Sequence, residues 1–319
     1  MISFKEFLSE VAIKKWDVKK TSLDGIIKLL NAQYKDGLNA IANGSVLYRG
    51  FGGGKKEAEG YKIINTTDAV RTSRDTNNLY QLCMDHSSAL AQYPKRSNSM
   101  ICCTRMSGAD SFGTINVIIP IDGTKVAVCA SKDMFDTMLA SAYYEDNNVE
   151  SFGDHLKSAL TALKFPRQDR YLRIEPIDEF LTNINPSRIA EVFDTNGFNM
   201  GLIQKLTNNC AEDKKMTAIA SAVMTPKSLD LKLLPYGGVL PTSGDSGSGH
   251  ALNGNEAWFS GKAVAIDLNT FAGILMEMKK LKMPIGKDVL VDMEYYIKKL
   301  QDKIDRDEMA AKAKSNDKF

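Results

Sequence analysis

Residues 235–266 read PYGGVLPTSGDSGSGHALNGNEAWFSGKAVAI, and the reading of this stretch decides the fold. Glycine and serine crowd the part before Glu256, and the chain after it turns apolar and β-prone. Glycine and serine bury little surface and lose much entropy when ordered, so residues 237–255 predict a long mobile loop. Ala257 to Ile266 predict a strand with a turn near Ser260-Gly261. One carboxylate, Glu256, therefore stands where flexible chain meets rigid sheet, a good place to hold a reacting group. The competing reading is a surface glutamate that follows a linker.

The rest of the composition narrows the classes. A chain of 319 residues, 43% hydrophobic and 25% charged, is long enough for one large domain or two modest ones with a full core. With 41 basic and 39 acidic residues the net charge is +2, so no global field recruits nucleic acid or anionic lipid, and no specific nucleic-acid partner is expected. Five cysteines, at 83, 102, 103, 129 and 210, form no CxxC pair and predict reduced thiols in a cytoplasmic setting. His86, His155 and His250 lie far apart without ligands at metal spacing, so no metal site is expected. No stretch approaches the roughly 20 apolar residues of a membrane span, and no membrane association is expected.

Upstream of the opening stretch, Leu23, Ile26, Ile27, Leu30, Tyr34, Leu38 and Ile41 recur at helical spacing and predict one amphipathic helix ending near Gly44. Val46 to Tyr48 predict a short buried strand, and Arg49 leaves its end followed by Gly50 and the glycines at 52–54. An arginine there can grip an anion with two parallel hydrogen bonds, and glycines let backbone amides approach closely; a solvated or ion-paired arginine is the plainer alternative. Residues 79–90 predict a second helix behind Asp75 or Thr76, with His86 along it. Met100 to Thr104 predict a compact strand preceded by Ser97 and Ser99. Ile115–Pro120 and Lys125–Cys129 around Asp122-Gly123 predict a hairpin. About 131–235 the pattern turns helical, with one strand-like run at Tyr171 to Ile174, and reads as a helical insertion. Two further helices follow the final strand, one from Asn269 and one carrying Val289, Met293, Ile297, Leu300 and Ile304, and residues 306–319 predict a frayed polar tail.

Three pieces thus follow in a definite order: a strand ending Tyr48-Arg49-Gly50, a strand opening with serines and ending in threonine at 97–104, and a strand led by Asn255-Glu256. This order resembles the Arg, Ser-Thr-Ser, Glu arrangement of bacterial-toxin-type mono-ADP-ribosyltransferases, including those carried by T-even-like phages. The Gly/Ser-rich loop before Glu256 falls where that family carries its substrate-recognising loop. The resemblance implies an α+β fold with an ADP-ribosyltransferase-like split β-sheet core, an N-terminal helical part, the helical insertion and C-terminal helices. It implies a single domain over 11–305, with NAD as substrate. In that chemistry, breaking the nicotinamide–ribose bond develops positive charge on the ribose, which a fixed carboxylate stabilises more in the transition state than in the ground state. Glu256 would take this role and Arg49 would hold the diphosphate, while the Gly50 backbone would meet the nicotinamide amide. Ser97, Ser99 or Thr104 would orient glutamate and ribose. The serine motif is not literal: one alignment puts Cys103 and Thr104 at its positions, another Ser97-Asn98-Ser99. Arginine-modifying members carry Glu or Gln two residues before the glutamate, where this chain has Gly254.

The first ten residues, MISFKEFLSE, resemble the capsid-targeting peptides of T-even phage internal head proteins through Phe4, Glu6, Phe7, Leu8, Ser9 and Glu10. This implies packaging in the virion interior, cleavage by the prohead protease, delivery to the host cytoplasm and a host protein as target. The alternative is a non-enzymatic internal virion protein that binds and inhibits a host protein.

Overall fold

The computed structural model describes residues 23–52, 60–68, 78–130, 134, 149–166, 173–199, 201, 203–204, 215–241 and 254–316. In chain order these form α1 (Leu23–Gln33), α2 (Lys35–Asn43), β1 (Leu47–Phe51), β2 (Tyr61–Asn65), α3 (Leu79–His86), β3 (Met100–Cys103) and the single turn α4 (Met106–Ala109). There follow β4 (Thr114–Pro120), β5 (Lys125–Cys129), α5 (Val149–Ala162), α6 (Ile174–Thr182), α7 (Pro186–Thr195) and α8 (Lys215–Val223). The described chain closes with β6 (Leu231–Pro235), β7 (Glu256–Phe259), β8 (Lys262–Asp267), α9 (Leu268–Lys280) and α10 (Lys287–Asn316). Helices and strands thus mix around one antiparallel eight-stranded sheet in the order β2-β8-β4-β1-β3-β7-β5-β6.

The strand pairing corrects the sequence expectation at one point. The segments around Asp122-Gly123 are strands, but they do not form a hairpin: β4 pairs with β1 and β8, whereas β5 pairs with β6 and β7. Alternating apolar residues announce a strand without naming its partner. Here the turn is claimed by other chain. The Asp36 amide donates to the Asp122 carboxylate, the Gly123 amide donates to the Asp36 carboxylate, and the Ile121 amide donates to the Lys262 carbonyl. The Ser260-Gly261 turn behaves alike. It joins β7, paired with β3 and β5, to β8, paired with β2 and β4. Both connections therefore cross between two halves of the sheet, β2-β8-β4-β1 and β3-β7-β5-β6. The halves meet at β1 and β3 through one register pair, Tyr48 with Cys103.

Several other elements depart from expectation. The predicted N-terminal helix is two helices broken at Tyr34, whose ring is buried. The break lets Gly37 of α2 lie against Ile119 so closely that a Cβ there would sit 2.2 Å from its methyl group. The helix does end at Gly44, in the left-handed conformation that glycine favours. β2 and β6 carry no expectation as strands. β6 ends the stretch read as helical insertion, and Ile174, the last residue of the strand-like run, opens α6; residues 171 and 172 of that run lie outside the described residues. α10 continues through 306–316, where polar composition predicts a frayed tail.

Two apolar cores pack against the sheet. In one, the row Ile101, Trp258 and Ala127, aligned across β3, β7 and β5, packs with apolar residues of α3 and of the helices α5 to α8. The helical region thus covers the β3-β7-β5-β6 half. A larger cluster joins α1, α2, α9 and α10 to Val117, Ile118, Ala265 and Ile266 of the central strands. Burial on this scale, at about 25 cal/mol per Å² of apolar surface, offsets the ordering of the chain.

Candidate functional site

The three strands singled out from sequence are neighbours. β1 with Arg49 lies beside β3, and β3 lies beside β7, where Cys103 stands directly opposite Glu256. Because directly opposite residues in antiparallel strands share a face, Cys103 and Glu256 extend the Ile101–Trp258 face. The site thus sits at the seam between the two halves of the sheet.

Arg49 spans that seam. Its Nη1 donates to the Ile101 carbonyl oxygen at 3.0 Å, and its guanidinium carbon lies 5.2 Å from the centre of the Phe112 ring. A cation over an aromatic face is attracted by the ring's quadrupole, so Phe112 holds the side chain from one side while β3 holds it from the other. Gly50 has a steric reason to be glycine. A Cβ there would lie 2.6 Å from the Ala109 carbonyl oxygen and 2.7 Å from the Phe112 carbonyl carbon, so β1 and the chain after α4 touch backbone to backbone.

Glu256 is 6% exposed, and its partner is a residue the sequence analysis did not single out. The Arg96 guanidinium donates to Oε1, and the Met134 amide donates to Oε2 at 3.1 Å. Arg96 itself is 3% exposed, with its guanidinium carbon 5.2 Å from the centre of the Trp258 ring. Burial works against the charge on Arg96, but Glu256, Tyr80 and Cys129 outweigh it, and its pKa is raised. The only sequence signal for Arg96 is indirect: a carboxylate at the head of an apolar strand needs a cation, and the basic residues of KRSNS lie next to the strand that pairs with it.

Of the hydroxyls considered for the serine motif, one adjoins Glu256. Thr104 Oγ1 accepts from the Asn255 amide at 2.8 Å, and the Thr104 amide donates to the Asn255 carbonyl at 2.9 Å. Ser99 lies at the other end of the β3–β7 pair, within 2.9 Å of Ser260 Oγ and donating to the Lys95 carbonyl at 2.7 Å. The Ser97 amide donates to the Asp85 carboxylate at 3.2 Å and its hydroxyl faces the Asn98 side chain. The structure therefore sets Arg49, Gly50, Cys103, Thr104 and Glu256 on or beside three neighbouring strands. Tyr48 is the residue paired with Cys103, so Arg49, one residue on, takes the alternate face of the sheet from Cys103 and Glu256, and Ser97 and Ser99 stay along the turn that carries Arg96.

The approach to Glu256 is fixed as well. Gly254 has a φ of 68°, and a Cβ built on it would lie 2.6 Å from the Arg105 amide nitrogen and 2.7 Å from its Cβ. Asn255 Nδ2 donates to the carbonyls of Cys129 and Ala130, both at 2.8 Å, tying the end of β5 to the start of β7. Arg105 pairs with Asp292 at 2.8 Å and Asp288 at 3.3 Å, fastening α10 beside the end of β3. The other end of the predicted loop is also held. The Asn43 amide group donates to the Gly237 carbonyl, and the Leu240 amide donates to Ser45 Oγ. Residues 242–253 of that loop, and residues 1–10, lie outside the described residues.

The seam is electrostatically shared. Burial pushes the Cys102 thiol well above its ordinary range, Arg49 pulls it down, and Cys103 and Glu256 push it up. A thiol there stays protonated and is no nucleophile at neutral pH. Among the described residues no cluster of His, Cys, Asp or Glu could hold a metal, and no helix is long and apolar enough to cross a membrane. No family model matches the chain, and neither a curated protein nor a solved structure is significantly similar to it.

Proposed function

We propose that the chain is a mono-ADP-ribosyltransferase that moves ADP-ribose from NAD to a host protein and releases nicotinamide. The observation that carries this reading is the adjacency of Arg49, Cys103-Thr104 and Glu256 on β1, β3 and β7, at the one-pair seam of the sheet. On the same ground we read the core as an ADP-ribosyltransferase-like split sheet. Here the C1′–N bond of NAD breaks, its electron pair leaves with neutral nicotinamide, and the ribose carries the positive charge. The Glu256 carboxylate stabilises that charge. A nucleophile of the target then closes the new bond and gives its proton to solvent.

The remaining residues fit as supports. One of the five N–H donors of Arg49 is used on Ile101, which leaves others to grip a diphosphate. Thr104 and Asn255 lock the backbone at Glu256, while Gly50, packed on Ala109 and Phe112, lets β1 carry Arg49 past that chain. Gly254 leaves the position two residues before Glu256 without a carboxylate, so the acceptor nucleophile is not activated from there. On the resemblance of residues 1–10 to capsid-targeting peptides, our reading is of a protein packaged in a phage head and delivered to the host cytoplasm.

One observation favours a second reading, an injected virion protein that binds and inhibits a host protein without catalysis. Both oxygens of Glu256 already have partners, Arg96 and the Met134 amide. Incubating the purified protein with labelled NAD and host lysate separates the readings. Label on proteins that is lost with Glu256→Gln is expected. Nicotinamide release without label means a glycohydrolase, and neither product means the binding reading is correct.

A further inference from the structure

We infer that Arg96 is the positioning residue of Glu256: it keeps the carboxylate ionised and fixes one of its oxygens, and it serves the reaction through Glu256. The inference rests on the transferase reading above. A carboxylate this deeply buried, left alone, takes a proton, because desolvation penalises its charged form; a guanidinium beside it reverses that balance and cannot itself be deprotonated.

The turn that carries Arg96 is built to stay in place. The Ser97 amide donates to the Asp85 carboxylate at 3.2 Å, Ser99 Oγ donates to the Lys95 carbonyl at 2.7 Å, and the Trp258 indole N–H donates to the Pro94 carbonyl at 3.0 Å. Trp258 sits two residues beyond Glu256 on the same face, so one strand presents both the carboxylate and the ring against which the guanidinium lies. Ser97 and Ser99, candidates for touching the ribose, instead hold the residue that holds Glu256.

The titratable neighbours can be named from each packed element. β3 brings Cys102 and Cys103, β5 brings Cys129, and α3 brings Tyr80 and Asp85, whose carboxyl accepts from the Arg96 and Ser97 amides. Arg49 of β1 acts on Cys102. Of these groups and Arg96, Arg96 is the cation that donates to the Glu256 carboxylate. Removing it therefore leaves Glu256 to protonate at higher pH, and the electrostatic stabilisation of the ribose cation fails until the pH is raised.

The test is nicotinamide release by the full chain as a function of pH, for wild type, Arg96→Lys and Arg96→Met. For Arg96→Met the expected result is a fall in kcat of about 100-fold near pH 7, the scale of one lost preorganised electrostatic group. KM for NAD changes by less than about threefold, and the acidic limb of the profile moves up by more than about one pH unit. Arg96→Lys keeps a cation and most of the rate. A profile for Arg96→Met that superimposes on wild type, or a loss confined to KM, overturns the inference. A readout free of activity is the urea midpoint at pH 7.5 of Arg96→Met and of Arg96→Met/Glu256→Gln. The double variant is expected to be the more stable, since neutral glutamine removes the buried charge that lost its Arg96 ion pair. A double variant no more stable than the single one overturns the pairing. If wild type releases no nicotinamide, the transferase reading fails, and this second comparison still decides whether Arg96 sustains the charge on Glu256.

Discussion

Arg49 of β1 donates to the main-chain oxygen of Ile101 on β3, so the side chain proposed to grip a diphosphate also closes the seam of the sheet. A half-buried charged donor on a carbonyl is worth about 1.5–3 kcal/mol. Arg49→Ala is therefore expected to lower stability by about that amount and to raise the dissociation constant for NAD, measured by urea unfolding and calorimetric titration. Arg49→Lys keeps the charge without the planar fork and should recover stability better than affinity. Equal recovery of both would remove the diphosphate role.

Thr104 and Ser99 separate the two alignments of the serine motif. Thr104→Val takes the acceptor from the Asn255 amide, costing about 1–3 kcal/mol, and frees the strand start that aims Glu256. We expect a drop in kcat of about tenfold, the scale of a slight misplacement at a reacting centre. Ser99→Ala loses its contacts to Lys95 and Ser260 and should affect the rate less. A larger kinetic effect at Ser99 than at Thr104 would reverse the assignment.

Gly254→Ala tests the closed approach to the site. The residue has left-handed backbone, and its new methyl would meet Arg105 backbone and side chain at 2.6–2.7 Å. Destabilisation of about 1–3 kcal/mol is expected, readable as a lower melting temperature. Gly254→Glu should cost at least as much and should not create modification of arginine acceptors.

Burial raises the carboxyl pKa of Asp178, with the Met216 and Thr217 hydrogen bonds opposing it. A raised folded pKa means that the folded chain still holds a proton that the unfolded chain, with a pKa of about 3.9, has released. The contribution of Asp178 is thus fully present below about pH 3.9 and is lost as pH rises through the folded pKa. Wild-type stability minus that of Asp178→Asn should fall over that window. A difference that rises with pH there would reverse the sign and with it the assigned cause.

Glu256 was legible in the sequence because glycine-rich chain meeting an apolar strand marks a rigid edge, and the strand and its turn are where the pattern predicts. Arg49 was expected just past the end of a strand, but β1 continues through it to Phe51, and Thr104 was legible as the end of the apolar strand from Met100. The partners of the strands were not. The segments flanking Asp122-Gly123 alternate as a hairpin should, yet each pairs elsewhere, because their partners, β1 and β8 for one and β6 and β7 for the other, are distant in the chain. Arg96 was hidden for a different reason: KRSNS has the composition of a solvated turn, and the burial that gives its arginine a purpose comes from Trp258 and from a carboxylate 160 residues later. β2 shows the converse, since Tyr61, Ile63 and Ile64 favour a strand and the expectation overlooked them.

The interleaved strand order also governs how the protein can be made. β7 and β8, near the end of the chain, occupy interior places in the sheet, between β3 and β5 and between β2 and β4. Before β7 and β8 emerge, β4-β1-β3 and β5-β6 can pair but β2 has no neighbour, and β3, β5, β2 and β4 each keep a bare edge until residue 267 is available. Such long-range closure makes folding slow. It also leaves a truncated product open to edge-to-edge aggregation. Interrupted synthesis before β7 should consequently yield insoluble material, whatever the finished protein does.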